Sequence, residues 1–186
     1  METEDALGWV PLEGRGSLPF ALVHGESLVA AASWAVGEAG VTLFDAALPF
    51  SDVFGSGRML VLHDPLCPLA PADFLAEAVA PCAETGAVVV GFRPVTDTIK
   101  TVAGDRLGDT VDRTALRAVA TPVVVPASVL SGLDALDTAD FPALVADLAG
   151  RGEIVWLEAP PLARRIRDEA DLADLEALSR AAAAQG

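Results

Sequence analysis

Short apolar runs and longer amphipathic stretches alternate along the chain. The apolar runs have strand length, several are rich in valine, and glycine, proline or aspartate bounds them, which predicts buried β-strands. Apolar residues recur at helical spacing between these runs, and Ser27 can cap a first helix that extends to about Glu38. Pro81 is expected to end or kink the second helix. The predicted strands are 7–12, 41–46, 59–63, 86–92, 119–125 and 154–157, and the later helices are 71–84, 140–148 and 171–184.

This order of elements predicts the fold class. Alternating strands and helices favour a Rossmann-like, three-layer α/β/α domain with a mostly parallel sheet, and 186 residues fit a single domain, 1–186. The stretch 94–114 differs, because its β-branched residues and the turn at 104–105 predict a β-hairpin arm. The arm has little apolar surface, so it either reaches another subunit or a site, or is a solvated surface hairpin.

The charge balance excludes several classes of partner. The chain has 27 acidic and 12 basic residues, and its formal charge of -15 opposes binding to nucleic acid and to anionic membranes. No apolar run reaches the length of a membrane span, and the acidic N-terminus does not resemble a signal peptide, so we expect a cytoplasmic protein. Cys67 and Cys82 are expected to be free thiols, and the presence of only two histidines argues against a histidine metal site. Because Lys100 is the one lysine, arginines, helix N-termini or a metal must hold any anionic substrate.

Three places can carry chemistry. The loop after the first strand contains Gly14 and Gly16, and small residues there allow backbone amides to approach phosphate oxygens, although an ordinary turn explains them as well. Asp64 follows a predicted central strand, where it either belongs to a site or caps the next turn. The segment 164–167 contains three arginines, which either serve a site or pair with nearby surface carboxylates.

Several motifs resemble those of the methylerythritol-phosphate cytidylyltransferases. The stretches PVTDTIK at 94–100 and VDRTALRAVATP at 111–122 resemble the family's dimerisation arm, VLHD at 61–64 resembles a strand end of the family, and 171–178 resembles its closing helix. The resemblance implies a nucleotidyltransferase-like fold, a homodimer formed through the arm, and transfer of CMP from CTP to 2-C-methyl-D-erythritol 4-phosphate with magnesium.

The resemblance also assigns roles to residues. Asp64 would be catalytic and hold magnesium, and Arg15 and Arg165 would be catalytic cations. Thr98 and Arg113 would bind the substrate phosphate in the partner subunit's site. Arg165 would occupy the place of a substrate-phosphate lysine of the family, or Arg167 would bind the substrate there if the alignment shifts by two positions. Gly14 and Gly16 would belong to the nucleotide loop.

The chain also departs from the family pattern. Phe20 stands where the family has the lysine of its Pro-Lys pair, Cys67 replaces an arginine, and the interval between the second and third strands is shorter. These departures imply a degenerate nucleotide loop. They leave a second hypothesis open, a catalytically inactive homodimeric homologue that binds a phosphorylated metabolite or a protein partner.

Overall fold

The computed structural model describes residues 5–44, 51–95, 100–103, 106–110 and 116–184, and for 100–103 and 106–110 it describes the backbone. The strands are β1 (Ala6–Trp9), β2 (Leu22–Val23), β3 (Glu26–Ser27), β4 (Thr42–Leu43), β5 (Met59–Leu62), β6 (Val88–Pro94), β7 (Lys100–Ala103), β8 (Arg106–Thr110), β9 (Arg117–Val125) and β10 (Ile154–Glu158). The α-helices are α1 (Leu28–Glu38), α2 (Ser51–Phe54), α3 (Ala72–Thr85), α4 (Ala127–Leu130), α5 (Phe141–Ala149) and α6 (Glu169–Ala183).

The central sheet has six strands in the order β10-β6-β9-β5-β1-β4. The pairs β1–β4, β1–β5 and β6–β10 are parallel, which confirms the mostly parallel sheet. The strand β9 is antiparallel to both β5 and β6. The predicted hairpin is also present, because β7 pairs with β8 as a separate antiparallel ladder. Its proposed role in dimerisation stays a prediction.

Side chains on alternate strand positions build one apolar core on each face of the sheet. Val89 and Val124 face the cluster that α1 and α3 cover, whereas Val90 and Val123 face the cluster that α5 covers. This alternation follows from the period of two along a strand. Helices therefore lie on both faces, and the three-layer α/β/α architecture is confirmed.

The helix boundaries agree with the local signals in most places. Ser27 caps α1 by accepting a hydrogen bond from the Ala30 amide, as predicted. Helix α3 does not end at Pro81; it continues to Thr85 and ends at Gly86, whose φ is 69°. Proline removes one hydrogen bond from a helix interior, and here packing of the buried face of α3 outweighs that loss, whereas a glycine in the left-handed conformation stops the helix. Among the helices that the structure describes, none combines the length and the hydrophobicity that a bilayer span requires.

Candidate active site

The topology collects the candidate residues at one edge of the sheet. The loops after β1, β5 and β10 lie at the carboxyl ends of parallel strands, and the antiparallel β9 begins at the same edge. In open α/β sheets this edge is where ligands bind. It places Gly14 and Arg15, Asp64, and the arginines of 164–167 on three neighbouring loops.

Asp64 lies at the centre of this edge, with a side chain only 1% exposed. Its Oδ1 accepts a hydrogen bond from Arg15 Nε at 2.7 Å, and its Oδ2 accepts one from Arg165 Nε at 2.8 Å. Oδ1 also accepts the Leu66 amide at 3.0 Å, so Asp64 caps the following turn as well as pairing with two arginines. Asp64 therefore caps the turn, as one of the two alternatives predicts, and its membership of a functional site stays a prediction.

The two arginines hold the Asp64 carboxylate in its charged form. Burial opposes ionisation, but the neighbouring Arg15 charge, with the hydrogen bonds from Arg15 and Arg165, outweighs it and holds the pKa of Asp64 below its ordinary value. We therefore expect an ionised Asp64 at neutral pH. The Arg15–Asp64–Arg165 cluster then carries a net charge of about +1, because arginine is always protonated.

Arg15 is buried, with a side-chain exposure of 0%. Besides its ion pair, it donates from Nη1 to the Glu13 carbonyl, and its guanidinium lies 5.1 Å from the centre of the Phe141 ring. Its Nη2 has no hydrogen-bond partner in the described structure. The predicted role of Arg15 as a cation for the nucleotide phosphates stays a prediction; the guanidinium lies beneath the site and is not exposed to solvent.

Arg165 reaches the site because Ile166 anchors its loop. The Ile166 side chain is fully buried in a third apolar cluster, and its amide donates to the Leu66 carbonyl at 2.8 Å. This bond ties the loop after β10 to the loop after β5. It leaves the neighbouring Arg165 beside Asp64, with 41% of its side chain exposed.

Arg164 and Arg167 have a different carboxylate partner. Arg164 Nη2 lies 2.6 Å from Asp171 Oδ1, and Arg167 Nε lies 2.8 Å from Asp171 Oδ2. The hydrogen bonds from Arg167 lower the pKa of Asp171 to about 2. The segment is thus divided: two arginines pair locally, as the surface hypothesis expects, and Arg165 faces the site.

Two cavities adjoin at this edge and share Val119, Ala120 and Arg165 in their walls. The first measures about 300 Å³, and its polar lining includes Asp64, Cys67, Thr121 and Asp140 besides Arg165. The second measures about 500 Å³ and is lined by four arginines, Arg93, Arg164, Arg165 and Arg167. Arg93, at the end of β6, was not anticipated from the sequence, although its position at a strand's carboxyl end was a usable signal. An arginine-rich wall of this kind suits a phosphorylated ligand.

The glycine loop contributes backbone to the first cavity. Gly14 has a φ of 75°, and a Cβ at this position would lie 2.7 Å from the Ala139 carbonyl oxygen, so the loop can approach the start of α5 only with glycine. Gly14 lines the cavity beside Asp140, which caps α5 by accepting the Ala143 amide. Gly16 also has a positive φ, 57°, but faces open space. Nucleotide binding by these glycines stays a prediction.

A buried pair that the sequence did not indicate underlies the site. His63 is completely buried, and its Nδ1 lies 2.8 Å from Thr121 Oγ1. Burial lowers the pKa of His63 to about 4, so its ring is neutral at neutral pH.

The two cysteines are also buried. Burial raises the pKa of the Cys67 thiol, near the site, to about 12, which keeps the thiol protonated and unreactive. Both cysteines are free and buried, which confirms the expectation of free thiols.

The residues present do not fit a magnesium ion held by the protein. Magnesium is usually bound through one or two carboxylates together with substrate phosphates. The Asp64 oxygens here accept three hydrogen bonds, two of them from guanidinium groups. Within the described residues, no group of three His, Cys, Asp or Glu side chains is placed to hold a metal.

Two predicted substrate-binding residues, Thr98 and Arg113, lie outside the described residues. Their contribution to a site, in this subunit or in a partner, stays a prediction.

Solved structures with the same architecture were found by comparison. The chain is similar to the 2-C-methyl-D-erythritol 4-phosphate cytidylyltransferase of Thermus thermophilus, with 22% identity and a TM-score of 0.68 over 97% of this chain and 100% of that one. A 4-diphosphocytidyl-2C-methyl-D-erythritol synthase gives 14% identity and a TM-score of 0.72 over 94% and 98% of the two chains. The cytidylyltransferase of Francisella tularensis gives 14% and 0.65 over 92% and 99%. At these identities the likeness concerns the fold.

The family is shown by the sequence itself. The model of the 2-C-methyl-D-erythritol 4-phosphate cytidylyltransferase family matches residues 46–156, which is more than half of the chain and includes the arm. This match agrees with the motifs at the strand end after β5 and in the arm. The chain belongs to the 2-C-methyl-D-erythritol 4-phosphate cytidylyltransferase family.

Proposed function

We propose that this protein transfers CMP from CTP to 2-C-methyl-D-erythritol 4-phosphate or a closely related sugar-alcohol phosphate. Family membership supports the reaction class. The observation that carries the proposal is the pair of adjoining cavities that share Arg165 at the carboxyl edge of the sheet. Two adjoining sites are what a reaction between a nucleotide and a phosphorylated acceptor requires.

In this proposal the acceptor phosphate binds in the larger cavity, where Arg93, Arg164, Arg165 and Arg167 supply positive charge. The nucleotide binds against the smaller cavity and the Gly14 loop. An oxygen of the acceptor phosphate attacks the α-phosphorus of CTP and forms a new P–O–P bond, while the bond from the α-phosphorus to the leaving pyrophosphate breaks. Phosphoryl chemistry of this kind is catalysed mainly by positioning and by neutralising charge, which are the properties an arginine-rich edge provides.

We further propose that the arm joins two copies of the chain and completes each site with Thr98 and Arg113 of the other copy. The β7–β8 hairpin supports an arm of the expected kind. Light scattering should give a dimer mass that Arg113→Ala leaves unchanged. Mixing Arg113→Ala with Arg165→Gln should restore acceptor binding, because a mixed dimer then contains one intact site; no restoration would contradict a site shared between subunits.

Pyrophosphate release from CTP, methylerythritol phosphate and magnesium chloride tests the reaction, with an active family member as the positive control. Arg165→Gln should lower the rate by about two orders of magnitude or more, since it removes a charge-assisted contact to phosphate. Arg151→Gln is the matched control, because Arg151 forms an exposed pair with Asp147. Absence of release in the wild-type chain, with the positive control active, would refute the proposed reaction.

A second candidate is a homologue that binds a phosphorylated metabolite or a protein partner without catalysis. Two observations favour this candidate: Arg15 is buried, and Asp64 pairs with two arginines. In this arrangement neither Arg15 nor Asp64 is available to contact the phosphates of a nucleotide. Calorimetry with methylerythritol phosphate in the absence of CTP, combined with the pyrophosphate assay, distinguishes the two candidates. Binding without turnover would support this second candidate.

A further inference from the structure

Protein donors occupy both oxygens of the Asp64 carboxylate. Oδ1 accepts from Arg15 Nε and from the Leu66 amide, and Oδ2 accepts from Arg165 Nε. A carboxylate offers about four lone-pair directions, and three are in use here. A metal ion on either oxygen would have to displace a guanidinium or lie directly beside one.

A metal ion could not displace the two arginines from the Asp64 carboxylate equally easily. Arg165 is partly exposed and could turn toward solvent, but the Arg15 side chain is fully buried between Asp64 and Phe141. If Asp64 turned to a metal, Arg15 would be a buried charge without its carboxylate, beside a divalent cation of the same sign. Burial of an unpaired charge is strongly unfavourable, so the packing around Arg15 opposes a metal at this position.

Arg165 is arranged to receive an anion directly. Its Nε is used by Asp64, whereas its terminal nitrogens have no hydrogen-bond partner within the described part of the chain. The side chain lines both cavities. A guanidinium whose Nε is fixed presents its remaining N–H groups as a planar fork, which matches phosphate oxygens.

We infer that this site binds a phosphate-type anion directly on Arg165 without a protein-held divalent cation, and that Asp64 is a positioning residue which aligns Arg165. The positive charge that a metal would supply comes from Arg15 and Arg165. The inference concerns the same anion site on which the proposed function rests, but it does not require CMP transfer.

Calorimetric titration with inorganic phosphate, in EDTA and in magnesium chloride, tests the inference. The affinity should be the same in both solutions, and titration of the protein with Mn²⁺ followed by electron paramagnetic resonance should show no bound ion at Asp64. Arg165→Gln should weaken phosphate binding about tenfold to a hundredfold, as expected for loss of charged hydrogen bonds, whereas Arg151→Gln should leave it unchanged.

A double-mutant cycle tests the positioning role. Asp64→Asn should weaken phosphate binding in the wild-type background and have little further effect when Arg165→Gln is present, because Asp64 acts through Arg165. A purely structural role would give the same loss in both backgrounds. Circular dichroism on each variant confirms that it is folded, and Arg165→Gln alone remains decisive for the anion contact if Asp64→Asn is unstable.

Three results would overturn the inference: phosphate binding that requires magnesium, a Mn²⁺ site that Asp64→Asn abolishes, or no phosphate binding in either solution. The CTP assay is separate. Metal-independent phosphate binding without pyrophosphate release would contradict only the proposed reaction, whereas pyrophosphate release together with a Mn²⁺ site at Asp64 would contradict only this inference.

Discussion

Replacing Asp64 with alanine should destabilise the fold strongly, apart from any effect on ligand binding. The change leaves Arg15, whose side chain is 0% exposed, as a buried charge without a carboxylate. Removing one partner of a buried ion pair costs about 3–5 kcal/mol. The Leu66 amide also loses its acceptor, which adds about 1 kcal/mol. Since domains are stable by about 5–15 kcal/mol, we expect a large fraction of the total stability to be lost.

Urea unfolding followed by tryptophan fluorescence and circular dichroism measures this loss. Asp147→Ala is the matched control, because it removes the carboxylate of an exposed pair with Arg151 and should cost less than about 1 kcal/mol. The double variant Arg15→Met with Asp64→Leu should recover much of the stability, because apolar residues of similar volume can replace a buried pair at little cost. An Asp64→Ala variant as stable as Asp147→Ala would refute the buried pair.

Two further predictions concern the residues beneath and beside the site. Because burial lowers the pKa of His63 from 6.5 to about 4, the unfolded chain takes up a proton first as pH falls; the free energy of unfolding should therefore decrease by about 3 kcal/mol between pH 6.5 and 4. His63→Asn should reduce the pH dependence of the free energy of unfolding, measured by thermal unfolding at pH 7 and pH 5. An unchanged pH dependence would exclude His63 as its source. His24→Asn is the control, because His24 is exposed and its φ of 50° is compatible with asparagine. Gly14→Ala should lower the free energy of unfolding by about 1–3 kcal/mol, and Gly16→Ala by less. Both glycines have a positive φ, but of the two only Gly14 has a backbone oxygen, that of Ala139, where the new Cβ would lie. Equal losses in urea unfolding would contradict the close approach of Gly14 to Ala139.

The sequence predicted the layers of the fold because local signals and burial agree along most of the chain. The buried strand at 59–63 and the Ser27 cap are examples, since valine-rich runs and capping residues act within a few positions. The antiparallel direction of β9 was not predicted. A helical crossover usually keeps consecutive strands parallel. Between β6 and β9 the described residues form the β7–β8 hairpin and no helix, which agrees with the reversed direction of β9.

The site was predicted in its location and only partly in its contacts. A general rule about strand ends placed Asp64 at the carboxyl edge, and the resemblance to the family assigned Arg165 to the same site, although 101 positions separate the two residues. The same rule cannot say which cation pairs with which carboxylate. That choice depends on burial, as for Arg15, and on the exact backbone path, as for the left-handed turn at Gly14. His63 gave no signal because its partner Thr121 is distant in sequence and apolar residues precede it in the strand.

The loop of residues 164–167 explains how a protein with a charge of -15 can present positive charge at one edge. Two carboxylates each bind two arginines: Asp64 binds Arg15 and Arg165, and Asp171 binds Arg164 and Arg167. Each unit keeps a net positive charge, and the carboxylate fixes the direction of its guanidinium groups. The charges of the remaining surface are screened within about 8 Å in physiological salt, so at contact distance these units determine what binds. An acidic chain can therefore still contain an anion site, because the carboxylates of these two units orient the arginines that would bind the anion.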